Sequence, residues 1–339
     1  MKKLFNSHAS MVEDMIDGFV AAYPHQVARG AAMRLIRRAQ PADPANKVML
    51  AIGNGSGHEP IAMGYVGTGL LDANIVGDVF TAPSPDLIYD ALDEITGDAG
   101  TLLLVSRHEG DVINANAAVM MAEEDDLKVR ALLMYDDISS APKGSEHERR
   151  GAAGTLFIYK ILGAAAETGM DLDALEALGI AVRDCTRTLA AAVSPGISPL
   201  TGAPMFALPD DEVFIGMGVH GEPGVGRRKV EPVGELVNFM MGELLDDMPI
   251  APDQKTIALI NGSGATSLME LLTIYREVEA ELRRRNIPAV APAIGSMSTT
   301  QDTQGFSISL MTPTQPMLDF WQAAQQTPFF PHIYNGETS

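Results

Sequence analysis

Cysteine is almost missing: Cys185 stands alone among 339 residues. That excludes an internal disulfide and fits a reducing, cytoplasmic setting. No run of about 18 consecutive apolar residues occurs, so no membrane span is expected. The opening Met1-Lys2-Lys3-Leu4-Phe5-Asn6 also lacks the apolar stretch of a secretory signal. Aromatic residues are scarce, at 6% with a single tryptophan. The core must therefore come from aliphatic residues, with Gly, Ala and Met allowing close α/β packing. Positive charge is scarce too, with 24 Lys and Arg against 44 Asp and Glu, a formal net charge of −20. Duplex nucleic acid would repel such a chain unless a local basic patch compensated. The densest basic stretches are Arg34–Arg38, Arg283–Arg285 and Arg227–Lys229. The first two read as solvated helix faces, and the third follows a motif taken up below.

What is present is alternation. Apolar residues at helical spacing predict an amphipathic helix over Met11–Ala22. Val48–Ile52 is a short apolar run that halts at Gly53, the pattern of a buried strand entering a glycine loop. Ala73–Phe80 is ambiguous, and Pro85–Ile95 reads as a helix capped by Ser84 or Asp86. Gly100–Val105 and Lys128–Tyr135 read as strands on either side of a helix over Val112–Glu124. Asp137–Arg150 reads as a polar, mobile loop, and Gly151–Gly169 and Leu172–Leu189 as helices. A Pro- and Gly-rich stretch from Ser194 to Pro209 marks a domain boundary. Beyond it the pattern is strand Glu212–Met217, helix Val233–Leu244, strand Thr256–Ile260, helix Ser267–Arg285 and strand Ser307–Met311. The expected fold is two α/β domains with mixed sheets flanked by helices and the active site between them. Residues 1–190 would hold the glycine loop, His58 and Asp111. Residues 191–339 would hold His220, with the Pro-rich C-terminal tail a candidate to pack back on the first domain.

Three loops carry residues suited to chemistry. Gly53-Asn54-Gly55-Ser56-Gly57-His58-Glu59-Pro60 follows a strand. Its glycines permit sharp turning and close backbone approach to a ligand, and successive N–H groups could cradle an anion or hydroxyl. The spacing is neither the dinucleotide-binding nor the Walker pattern, and a tight strand-to-helix turn is the plainer alternative. Gly216-Met217-Gly218-Val219-His220-Gly221-Glu222-Pro223-Gly224 repeats the same vocabulary of strand, glycines, His, Glu and Pro. A histidine among glycines at a strand end is more open to a ligand than one on a helix face. In His108-Glu109-Gly110-Asp111 the aspartate opens a helix, where an N-cap role competes with a catalytic one. Three histidines with adjacent acids also raise a metal site, but none shows the i, i+4 or i, i+2 spacing of familiar metal motifs.

Together these loops resemble the dihydroxyacetone kinase family, specifically its substrate-binding K subunit. The resemblance runs over nearly the whole chain. It rests on Gly55–Pro60, Gly64–Gly67, Gly77–Asp86, Gly110–Asn114, Ser194-Pro195, Gly218–Gly224 and Asn261–Thr266. It implies that His220 captures a short ketose, its ring nitrogen adding to the carbonyl to give a hemiaminal. Neutral imidazole is nucleophilic near pH 7. With no second hydrogen on the attacking nitrogen, the adduct cannot dehydrate to a neutral imine and stays reversible. Polyols without a carbonyl are rejected by chemistry, where size alone discriminates weakly. By the same resemblance His58 hydrogen-bonds the substrate and assists proton transfer. Asp111 orients or deprotonates the attacking hydroxyl, and Gly55, Ser56 and Gly57 line the sugar through backbone groups.

The family commonly has Lys-Asn-Tyr-Thr-Gly-Asp where this chain has Ser106-Arg107-His108-Glu109-Gly110-Asp111. A serine replaces the lysine that contacts substrate. This points to a different ketose, such as four-carbon erythrulose, with Ser106, His108 or Glu109 supplying new polar contacts. No cofactor is expected on this chain and no metal. The resemblance places ATP or ADP with Mg²⁺ on an L-type partner subunit, in the second case recharged through a phosphotransferase-system component. It also implies a cytoplasmic homodimer in glycerol metabolism. Two other readings predict different observations. A ketose sensor or transcriptional co-activator paralogue needs the capture residue but not the base. A metal-dependent hydrolase would carry stoichiometric metal.

Overall fold

The computed structural model describes residues 3–218 and 221–333, which divide into two compact units. Within the described residues, unit 1 takes in the chain up to Met134, then Ile158–Ala181 and Ala323–Phe330. Unit 2 takes in Tyr135–Phe157, Val182–Gln322 and the residues after Phe330.

Unit 1 is built on a six-stranded sheet. β1 (Val27–Arg29) and β2 (Leu35–Arg38) form an antiparallel pair, and β2 runs antiparallel to β4 (Ala73–Val79). β4, β3 (Met49–Ser56), β5 (Thr101–Ser106) and β6 (Val129–Met134) are parallel, giving the order β1-β2-β4-β3-β5-β6. Thr101 to Val105 are all buried, as expected of a parallel strand covered on both faces. From β3 the chain moves to β4 on one side and then crosses to β5 on the other. The carboxyl ends of β3 and β5 therefore flank a topological switch point, where open α/β sheets bind ligands.

The helices of unit 1 follow from local signals. α2 (Pro85–Ile95) starts with the Ser84 hydroxyl accepting from the Leu87 amide at 3.4 Å and Pro85 in the first turn. Its Ile88, Ala91, Leu92 and Ile95 pack on the sheet beside Ala115, Ala118 and Ala122 of α3 (Glu109–Glu124). Each fully buried Leu or Ile of this kind contributes about 1.5–3 kcal/mol. Gly163 of α4 (Thr155–Glu167) lies against the Leu70 backbone, and Gly179 of α5 (Leu172–Asp184) against the Leu132 side chain. The last strip of the unit joins the first helix. The Phe329 ring lies 6.3 Å from Phe19 of α1 (Met11–Ala22) and 5.4 Å from Tyr23, and the Phe330 ring lies 5.4 Å from Tyr65.

Unit 2 holds a second six-stranded sheet. Its strands are β7 (Thr186–Ser194), β8 (Glu212–Ile215), β9 (Gly226–Lys229), β10 (Ile257–Gly262), β11 (Ala293–Gly295) and β12 (Gln304–Met311). The order is β11-β10-β12-β7-β8-β9, with β10 and β11 parallel and the other neighbours antiparallel. α6 (Val233–Asp247) and α7 (Leu268–Arg284) cover it through Val237, Met240, Leu244, Ile274, Val278 and Leu282. α7 opens on a capping box in which Ser267 and Glu270 satisfy each other's backbone amides. The α/β class, the mixed sheets and their helical covers agree with expectation.

Several local readings need correction. The helix read over Leu172–Leu189 ends at Asp184, and β7 begins two residues later. The alanine-rich run Leu189–Val193 has helical propensity, but it is a central strand whose small side chains fit a crowded sheet. Arg34–Arg38 is not a solvated helix face. Leu35–Arg38 is β2, and buried Arg38 donates to Asp72 at 2.9 Å and Glu167 at 2.8 Å, with Lys47 completing the cluster on Asp72. Asp137–Arg150 is closed on itself, since the Asp136 and Asp137 amides both donate to the Arg150 carbonyl at 3.1 Å. The C-terminal segment contains α8 (Gln315–Gln322), whose buried Trp321 lies 5.0 Å from the Phe157 ring in a tilted pair and donates to the Ala291 carbonyl at 2.9 Å. No helix among the described residues is long and apolar enough to cross a membrane.

Candidate functional site

Three loops leave the carboxyl ends of β3, β4 and β5 in unit 1. β3 runs on through Gly53 to Ser56, and its glycines let two loops close on each other. A Cβ on Gly55 would lie 2.7 Å from the Thr81 nitrogen, and one on Gly57 would lie 2.6 Å from the Phe80 ring. Gly57 also takes the left-handed conformation, φ 101°, which glycine adopts freely. Part of the glycine signal is therefore tight packing against Phe80-Thr81. The Phe80 amide donates to the Ser56 carbonyl at 2.9 Å and completes this seam. Asn54 is fixed by the Asn74 amide group, which donates to its Oδ1 at 2.6 Å.

His58 is buried, its ring 5.1 Å from Phe80. The Glu59 carboxylate accepts from the Gly57 amide at 2.8 Å. Burial pushes the Glu59 acid above its usual range, and the Gly57 hydrogen bond works against this. The Ser56 hydroxyl is buried and makes no hydrogen bond to the described residues.

β5 ends at Ser106, and the chain turns directly into α3. The His108 amide donates to the Ser106 carbonyl at 2.7 Å, and His108 is the N-cap residue, its side chain making no capping bond. Asp111 is thus in the first turn rather than at the N-cap, where its charge favours the helix dipole. The N-cap position belongs to His108 instead. One Asp111 carboxylate oxygen is buried. The first turn of α3 is tied to the loop after β4. Asn114 Nδ2 donates to the Pro83 carbonyl at 2.9 Å, and a Cβ on Gly110 would touch the Ala82 methyl at 3.8 Å. The segment Phe80–Pro83 thus touches both the glycine loop and the helix that carries Asp111. Sequence reasoning matched this segment but gave Phe80 and Thr81 no role. The positive φ of Phe80, 57°, is a tertiary feature with no signature in the chain.

The second histidine loop lies in unit 2. Ile215 of β8 pairs with Gly226 of β9, so Gly216 to Val225 connect the two strands. Val219 and His220 lie outside the described residues, and the expected covalent histidine is therefore not placed. The residues on either side of them are tightly held. The Gly221 amide donates to the Gly218 carbonyl and the Gly218 amide to the Glu222 carbonyl, both at 3.0 Å. The Gly216 carbonyl receives Ser139 Oγ at 2.9 Å and Arg150 Nη2 at 3.2 Å. The structure thus brings Gly55, Ser56, Gly57 and His58 together with the loop from Ser106 to Asp111 through Phe80–Pro83. Ser139, Asp137 and Arg150 were missed, because only folding brings them to the histidine loop. Among the described residues no group of three or more His, Cys, Asp or Glu could hold a metal ion.

Comparison with known proteins adds to this geometry. The Dak1 domain model matches residues 17–329. A Listeria innocua protein, PTS-dependent dihydroxyacetone kinase 1, dihydroxyacetone-binding subunit DhaK, is 38% identical over 92% of this chain and 94% of its own. The D-erythrulose kinase of Mycolicibacterium smegmatis is 36% identical over 97% of this chain and 56% of its own. Among solved structures, the C. freundii dihydroxyacetone kinase in complex with AMP-PNP and Mg²⁺ superposes with a TM-score of 0.88 at 31% identity, covering 100% of this chain and 63% of that one. The dihydroxyacetone kinase operon co-activator DhaQ also reaches 0.88, at 29% identity over 93% and 97%. The family match over residues 17–329, the relatives that align with nearly the whole chain and the superposition on solved family structures together show that the chain belongs to the Dak1 domain family.

Proposed function

We propose that this chain is the ketose-binding subunit of a two-part kinase, and that it holds a short ketose as a hemiaminal on His220. The observation that carries the reading is the convergence at the β3–β5 switch point. His58 and Asp111 stand on two loops joined through Phe80–Pro83. The ring nitrogen of His220 adds its lone pair to the ketone carbon, a C–N bond forms and the carbonyl π pair moves to oxygen. That oxygen gains a proton as the second ring nitrogen gives one up, with His58 serving the transfer. Asp111 then accepts the proton of the terminal hydroxyl as that hydroxyl's oxygen bonds to the phosphorus, while the bond from phosphorus to the donor's oxygen breaks and its electron pair leaves with the donor. Fixing the ketose covalently orients that hydroxyl ahead of the transfer.

The phosphoryl donor, with Mg²⁺, belongs to an L-type partner subunit. The relative named as a PTS-dependent subunit supports a donor of the phosphotransferase type, and the C. freundii kinase with AMP-PNP and Mg²⁺ supports a nucleotide beside the family fold. We place the chain in the cytoplasm as a homodimer. Its substrate is a triose or tetrose ketose. Ser106 in place of the family lysine, with His108 and Glu109 nearby, favours erythrulose, and a D-erythrulose kinase stands among the relatives.

The test is intact-mass analysis of the protein soaked with dihydroxyacetone and with each erythrulose enantiomer, followed by turnover with its L subunit. Adduct mass lost in His220→Ala supports capture, and unchanged ketose retention in that variant removes it. A strong preference for dihydroxyacetone removes the tetrose reading alone. The likeness to the DhaQ co-activator favours a second role as a ketose sensor. A sensor would capture ketose yet show no turnover with any L subunit.

A further inference from the structure

The Gly216 carbonyl, on the loop that leads to His220, is gripped by a polar device in unit 2 that the proposed chemistry does not use. Its base is Asp137, buried in the segment that follows β6. Asp137 Oδ1 accepts from the Ser139 amide at 2.9 Å and hydroxyl at 2.6 Å. Its Oδ2 accepts from Arg150 Nη2 at 2.8 Å and Nε at 3.1 Å. The fork geometry fixes the guanidinium plane, which a lysine ammonium could not do. From that anchor Nη2 also donates to the Gly216 carbonyl at 3.2 Å, and the Ser139 hydroxyl reaches the same oxygen at 2.9 Å. The single hydroxyl proton serves Asp137 or Gly216 at any moment, so Arg150 is the constant donor to both.

The loop is shaped to receive this guanidinium. A Cβ on Gly218 would lie 2.5 Å from Arg150 Nη1 and 2.3 Å from Glu222 Oε2, so a side chain there must displace these groups. Gly216 has φ 75°, and a Cβ on it would lie 2.3 Å from Ser139 Cβ. Glycines at these two positions are thus explained by the Asp137–Ser139–Arg150 device. A covalent capture step needs its nucleophile held in place, because small misplacements are costly.

We infer that Arg150 is a positioning residue for ketose capture: clamped by Asp137, its guanidinium sets the backbone of Gly216 and Gly218, which lead into His220 in the chain. This rests on the capture role proposed above for His220. Arg150 is not a catalytic residue, since its contacts are to the loop.

The experiment compares full-length wild type, Arg150→Lys, Arg150→Ala, Gly218→Ala and His220→Ala. Three readouts are taken: adduct by intact mass across a ketose titration, steady-state kinetics with the L subunit, and thermal unfolding. For Arg150→Lys we expect an unfolding temperature near wild type and an apparent ketose affinity at least tenfold weaker. KM should rise to match while kcat at saturating ketose changes less than threefold, because an adduct once formed still meets Asp111. A lysine that restores wild-type capture overturns the inference, as does a fall in kcat with KM unchanged. If both Arg150 variants unfold, Gly218→Ala decides. Displacing the guanidinium by one methyl must weaken capture in the same way, and wild-type capture in that variant overturns the inference. If His220→Ala retains ketose as wild type does, the capture reading itself fails and this inference falls with it. Loss of capture in His220→Ala with wild-type behaviour in every Arg150 and Gly218 variant overturns the positioning role alone.

Discussion

Gly55 and Thr81 meet backbone to backbone, so that a Cβ on residue 55 would lie 2.7 Å from the Thr81 nitrogen and 3.0 Å from its oxygen. A methyl group there must push apart the two loops that frame the candidate site. Because the atoms it meets belong to backbone, no side-chain rotation relieves the clash. We expect Gly55→Ala to lose about 1–3 kcal/mol of stability in urea unfolding, the usual cost of overpacking. Ketose capture should fall with it. A variant as stable as wild type would show that the seam between β3 and β4 yields freely.

Asp111 offers a cleaner division between binding and chemistry. Asp111→Asn keeps the shape of the first turn of α3 and removes the proton acceptor. The expected result is a fall in kcat of about 10²–10⁴-fold, the range for general acid–base assistance. Adduct formation measured by intact mass should stay within about threefold on the same reasoning. Loss of capture alongside turnover would make Asp111 a binding group instead.

Ser106 tests the choice of ketose. Restoring the family's lysine in Ser106→Lys should shift kcat/KM towards dihydroxyacetone relative to erythrulose by about tenfold, the scale of one added charge-assisted contact. The measurement is the ratio of the two kcat/KM values in each protein. An unmoved ratio would place the discrimination elsewhere in the pocket.

Asp136 gives the fold a dependence on pH that can be isolated. Burial pushes its carboxyl up to about 6, against hydrogen bonds from Thr188 and from the Ala152 and Gly154 amides. A folded acid that binds its proton more tightly than the unfolded one contributes stability below the unfolded value. That contribution is lost as pH rises through the folded value. Between the ordinary 3.8 and about 6 the penalty grows to about 3 kcal/mol. Asp136→Asn carries a fixed cost for mismatched hydrogen bonds but no titration. Its unfolding free energy should therefore gain on wild type as pH rises from about 4 to about 6.5. A constant offset across that window would mean that Asp136 is ionised throughout.

The parts of the molecule that could be read in advance share a physical character. β3 and β5 are buried on both faces and show it as unbroken apolar runs, and α2 and α7 announce themselves through Ser84 and Ser267. The edge strand β9 was invisible for the opposite reason. β9 is Gly226-Arg227-Arg228-Lys229 at a sheet edge, where solvated side chains leave a charge run with no alternation. β7 follows α5 almost without a turn, and its alanines carry helical propensity that the sheet overrides. At the site, His58 and Asp111 stood out because histidine and acid beside glycine at strand ends are unusual. The glycines of the first loop were ascribed to ligand approach, yet the positions of Phe80 and Thr81 require two of them. Asp137 and Arg150 frame a segment that reads as plain polar loop, since nothing in their spacing reveals that Arg150 bridges the Asp137 carboxylate and the Gly216 carbonyl.

The closing strip of unit 1 has a consequence for synthesis. Phe329 and Phe330 set their rings beside Phe19, Tyr23 and Tyr65, so these aromatic contacts join residues made early to residues made much later. A ribosome adds about 5–20 residues per second. Until Phe329 and Phe330 are made, the nascent N-terminal sheet must wait with that apolar seat uncovered. An extension fused near Phe330 should therefore be felt first as a slow or chaperone-dependent maturation of a region more than 250 residues upstream.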